Sequence, residues 1–74
     1  MEMEKLLKAL QANREDLVTF LAAEAFFNKD MSTNQENVDK FKAYSGLKVY
    51  VAANRVLGFK AGWIIYNEKK FYFA

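Results

Sequence analysis

The 74-residue sequence predicts an α+β fold, with two to three N-terminal helices packed on a small C-terminal antiparallel β-sheet or hairpin. Three observations predict it. Apolar residues recur at helical spacing through the first 45 positions, the period drops to two after Gly46, and two aromatic-rich apolar runs near the C-terminus are separated by a polar tetrapeptide.

The first element follows from Met3, Leu6, Leu7 and Leu10, which obey the i, i+3, i+4, i+7 rule, with Glu2, Glu4, Lys5 and Lys8 elsewhere on the wheel. In the second, Leu17, Val18, Phe20, Leu21, Ala22, Ala25 and Phe26 are apolar around much of the circumference, which predicts the most buried helix. Asn13, with Asp16 three residues on, is placed to cap it. One continuous helix from Glu2 to about Asn28 would be roughly 40 Å long at 1.5 Å per residue. It would protrude from a domain whose expected radius of gyration is near 11 Å, so a break near Asn13 is favoured.

The polar stretch Asn28–Ser32 reads as a loop. Thr33 with Glu36, or Ser32 with Gln35, forms a capping box for a third helix that runs to about Tyr44, with Val38, Phe41 and Tyr44 or Ser45 inward and Gly46 as its C′ residue. Leu47, Val49, Val51 and Ala53 then alternate with Lys48, Tyr50 and Ala52. Trp63–Tyr66 and Phe71–Phe73, joined by Asn67-Glu68-Lys69-Lys70, read as a hairpin with a four-residue loop. Between them, a further strand around Val56–Lys60 competes with a fourth helix over 49–57, because Val49, Ala52, Ala53 and Val56 also share a helical face. The expected core comprises Leu6, Leu10, Leu17, Phe20, Leu21, Val38, Phe41, Val49, Val51, Trp63 and Ile65. The chain reads as one domain over 1–74, with no repeat or linker.

Composition narrows function by exclusion. With no cysteine and no histidine, disulfides, thiolate sites and the common zinc, copper and non-haem iron constellations cannot be built, and no metal or other cofactor is expected. Ser32 and Ser45 sit at expected helix ends, where capping explains them, and Glu15-Asp16 diverge on a helix rather than pairing across a cleft. Gly46, Gly58 and Gly62 make no phosphate-cradling motif. No catalytic residues emerge, and a non-enzymatic protein is expected. No apolar run reaches the 18–20 or so residues of a membrane span, and a cytoplasmic setting is the expectation.

Charge is unevenly placed. Met1–Asp39 holds eight acids and four bases, a net −4, whereas Lys40–Ala74 holds seven bases and one acid, a net +6, with nine of the twelve aromatics. In that second part Lys48, Arg55, Lys60, Lys69 and Lys70 interleave with Tyr50, Phe59, Trp63, Tyr66 and Tyr72. Cations for phosphates and rings for base stacking are what a single-stranded nucleic acid requires. The expected binding residues are therefore Lys48, Tyr50, Arg55, Lys60, Lys69, Lys70 and Tyr72, in a small regulatory protein.

If residues 48–57 are helical, the element order over 34–73 resembles a winged helix-turn-helix DNA reader, a resemblance that implies Lys48, Asn54 and Arg55 near the groove and Lys69-Lys70 in the wing. The competing expectation is an inhibitor of the kind phages and mobile elements use to block a host protein, since interfaces concentrate Tyr, Trp, Phe and Arg. The acidic helical face around Glu15, Asp16 and Glu24 is then a second contact surface. A homodimer paired through an edge strand at Phe71-Tyr72-Phe73 is a further expected partner.

Overall fold

A helical layer covers one face of a three-stranded antiparallel sheet, in the computed structural model that describes residues 2–53 and 60–73. The order is α1 (Glu2–Gln11), α2 (Glu15–Phe26), α3 (Gln35–Ser45), β1 (Lys48–Ala53), β2 (Lys60–Tyr66) and β3 (Lys69–Phe73), with the sheet ordered β1-β2-β3. This is the expected α+β architecture, with all three helices present. The radius of gyration is 11.4 Å.

Asn13 breaks the helical run, by a different device from the expected cap. It adopts a left-handed conformation at φ 57°, and the amides of Asn13 and Arg14 bond back to the carbonyls of Leu10 and Ala9. This pair of bonds is the Schellman signature, so Asn13 ends α1 instead of starting α2. Arg14 is the N-cap residue of α2, without a side-chain cap bond, and its guanidinium instead hydrogen-bonds Asp16 and holds that carboxyl below the usual range. At α3 the cap is Asn34, whose side chain accepts from the Asn37 amide at 3.1 Å, displacing both expected capping boxes. Thr33 is drawn away into a bridge with Phe27. Gly46 closes α3 as expected, left-handed at φ 70° with its amide on the Lys42 carbonyl.

The hairpin turn is tighter than expected. Asn67 and Glu68 alone form it, both at positive φ (50° and 66°), and Lys69 and Lys70 belong to β3. Positive φ at both central residues is the type I′ pattern, whose twist matches the flanking strands. Glu68 adopts this conformation against its Cβ. Glu68→Gly is therefore expected to raise stability by about 0.5 kcal/mol in urea denaturation, because relief of the left-handed strain outweighs the extra backbone freedom of glycine.

The core gathers between the layers. Phe26 at the end of α2 lies 5.5 Å from the Phe41 ring and 5.4 Å from the Phe73 ring, and Phe27 lies 5.7 Å from Phe73, so four rings tie α2, α3 and β3 together. Leu6, Leu10, Val18, Val38, Val49, Ile64 and Phe71 surround them, with Ala9, Ala22 and Ala25 allowing close helix packing.

Four expected core residues lie elsewhere. Leu17 and Phe20 are exposed, at 37% and 63%, because α2 packs on α1 along one flank and β3 along another, leaving a stripe to solvent. Trp63 and Ile65 are only half-buried, on the face away from the helices, because Ile64 is the β2 residue that shares a face with buried Val49 and Phe71. Lys48–Ala53 is a strand, which removes the helix required by the winged helix-turn-helix resemblance. The expected strand around Val56–Lys60 falls, before Lys60, outside the described residues. At the outer edge of β3 the Thr19 hydroxyl donates to the Tyr72 carbonyl at 2.8 Å, a contact that edge-to-edge pairing of this strand has to displace.

Candidate nucleic-acid interface

Strand alternation and register together determine what the open face of the sheet presents. Directly opposed residues share a face. Val49, Ile64 and Phe71 form one inward row, and Val51, Gly62 and Phe73 the next. The outward rows are then Lys48, Ile65 and Lys70, followed by Tyr50, Trp63 and Tyr72, followed by Ala52 and Ala61.

One aromatic from each strand thus stands in a single row across the sheet. Strands lie roughly 4.8 Å apart, so the row is about 10 Å wide, and the lysine row lies about 7 Å from it along the strands. Tyr50 and Tyr72 are exposed, at 41% and 64%. Tyr50 stacks on Trp63 with ring centroids 5.2 Å apart and an interplanar angle of 18°. The Lys70 ammonium stands 5.5 Å from the Trp63 ring centroid, a cation–π contact. No acid occurs among the described outward residues of the sheet; Glu68, in the turn beyond the lysine row, is the acid nearest in sequence to Lys70.

Sequence chemistry explains which rings face out. Phe71 and Phe73 have no polar atom and occupy the core, whereas Tyr50 and Tyr72, which carry a hydroxyl, are exposed, and Tyr66 packs half-buried against the core edge. Gly62 makes room for this arrangement: a Cβ there would stand 2.4 Å from the Phe73 ring and 2.6 Å from the Tyr50 carbonyl.

The structure divides the seven expected binding residues. Lys48, Tyr50, Lys70 and Tyr72 share the open face. Lys60 and Lys69 alternate to the helix side and are engaged there. The Lys60 ammonium donates to the Thr33 hydroxyl at 3.0 Å. That of Lys69 ion-pairs with Glu15, donates to the Asn13 side chain at 3.0 Å and sits 5.0 Å from the Phe71 ring centroid. These two lysines fasten the sheet to the helical layer, which corrects the expectation that they join the others. Arg55 lies outside the described residues. Trp63, at the centre of the row, was absent from the expected set; its hairpin partnership with Tyr72 is the sequence signal that places it there.

Among the described residues no group of three or more acids, histidines or cysteines is placed to hold a metal, and no helix is long and apolar enough to cross a membrane. Fold and face together define a three-helix layer on a three-stranded meander with an open aromatic sheet surface. No family model, curated protein or solved structure matches this chain.

Proposed function

We propose that this is a non-catalytic binding protein that takes single-stranded nucleic acid on the open face of its sheet. The observation that carries the reading is the row Tyr50–Trp63–Tyr72, with both tyrosines exposed and Trp63 half-buried between them, on a face whose described residues include no acid, beside Lys48 and Lys70. A ring burial role does not account for it, because the buried rings are on the other side of the sheet. Unpaired bases offer flat π-faces to such rings, and their phosphates meet the flanking ammonium groups. Duplex DNA hides those faces within its own stack, so it should bind more weakly than a single strand.

The test follows Trp63, the single tryptophan, by fluorescence while short single- and double-stranded oligonucleotides are added at two salt concentrations. Saturable quenching is expected, strongest for single strands. With two or three phosphates neutralised, affinity should fall about tenfold between roughly 50 and 200 mM salt. No response to any oligonucleotide at low salt would remove the reading and leave a solvated sheet surface.

A further inference from the structure

The solvent face of α2 carries a knob and a hole side by side. The knob is Phe20, 63% exposed, with Asp16 and Glu24 four residues to either side on the same surface. The hole is a shallow groove of about 400 Å³ between α1 and α2. It is lined by Ala9, Ala12, Leu17 and Leu21 and by the bases Lys5, Lys8 and Arg14, of which Arg14 already pairs with Asp16 of its own chain. An acid-flanked apolar knob therefore stands next to a base-lined apolar hole.

We propose that this surface is a homodimer interface in which Phe20 of each copy seats in the α1–α2 groove of the other. Self-complementarity is what a two-fold contact requires, since the same patch must serve both sides. A two-fold axis parallel to α2 keeps residues of the two copies level along the helix. Phe20, lying in height between Leu17 and Leu21, then arrives over the groove. Glu24 and Asp16, the latter shared with its own Arg14, arrive beside Lys5 and Lys8 of the other copy. Burial of the ring drives the contact, and the opposed charges fix its register. A surface of one charge sign would repel its own copy, whereas this one carries both signs at matching places. The contact uses the side of the helical layer remote from the sheet's open face, so it is independent of nucleic-acid binding. It also leaves the outer edge of β3 and its Thr19 contact intact.

Sedimentation equilibrium of the full chain, from about 1 μM to about 500 μM, tests the proposal in the affinity range of modest interfaces. The average mass is expected to rise from that of one chain, 8.6 kDa, to twice that value. Phe20→Glu should hold it at the single-chain mass with the far-UV circular dichroism unchanged, and Phe20→Ser serves as a second, milder variant. Chains carrying Lys5→Glu with Lys8→Glu should dimerise at least tenfold more weakly. Mixing them with chains carrying Asp16→Lys and Glu24→Lys should restore association. A wild-type chain at 8.6 kDa throughout would overturn the proposal. So would a dimer whose dissociation constant is unmoved by both Phe20 variants.

Discussion

Gly62→Ala is expected to destabilise the protein by about 2–3 kcal/mol, at the upper end of what overpacking a core costs. The added methyl has nowhere to go. It would lie 2.4 Å from the Phe73 ring and 2.6 Å from the Tyr50 carbonyl, and the second of these is backbone of the neighbouring strand. Phe73 cannot simply swing aside, because its ring packs edge-on against Phe26 at 5.4 Å and against Phe27 at 5.7 Å. Relief therefore requires the sheet itself to shift. For a chain of this size such a loss lowers the melting temperature by roughly 10–20 °C. Thermal unfolding followed by far-UV circular dichroism measures it, and a fall of less than about 3 °C would show that the Phe73 site yields far more easily than its packing indicates. Gly46, left-handed where Gly62 is not, has open space around it, so Gly46→Ala costs only the left-handed strain, about 1 kcal/mol.

The second large effect concerns the sheet face. Tyr72→Ala, at a side chain 64% exposed, should leave the fold intact and weaken oligonucleotide binding about 10- to 100-fold, the worth of one stacked base. Lys70→Glu should weaken it further and flatten its salt dependence. Lys69→Glu is the informative control. One residue away in sequence, it faces the helices and pairs with Glu15 and Asn13, so its reversal should lower stability and leave affinity per folded molecule nearly unchanged. Titration of Trp63 fluorescence against a single-stranded oligonucleotide, alongside urea denaturation of each variant, separates the two effects. Equal losses of affinity at Lys69 and Lys70 would contradict the assignment of faces.

That contrast marks where sequence reading stopped. Helix existence, the break near Asn13, the glycine stop at 46 and the change to a period of two were all legible, because each is a local signal. Caps were less so. Ser32, Thr33 and Asn34 are three adjacent residues able to cap, and the choice of Asn34 depends on the bridge that carries Thr33 to Phe27. Facing was hardest on β2, where Gly62-Trp63-Ile64-Ile65-Tyr66 offers apolar residues on both alternations. Turn length resolves it: with an even number of turn residues, as in the two-residue turn at Asn67-Glu68, keeping Phe71 and Phe73 inward puts Ile64 with them and Trp63 and Ile65 with Tyr72, whereas an odd number would reverse the faces. The same parity separates Lys69 from Lys70. Exposure of Leu17 and Phe20 had no local signal at all, since a helix apolar around its circumference does not reveal which stripe its neighbours leave open.

Alternation also makes the sheet a scaffold in the engineering sense. Lys48, Tyr50, Trp63, Ile65, Lys70 and Tyr72 make up its two fully paired outward rows, while the residues between them hold the core. Cross-strand pairs on an open face contribute only about 0.2–1 kcal/mol each. A library varied at those six positions, with Gly62 and the phenylalanines kept, changes what the surface recognises while leaving the helical layer and its ring cluster to specify the fold. Open surface and core are written on alternate residues of the same three strands, and each can be rewritten largely without the other.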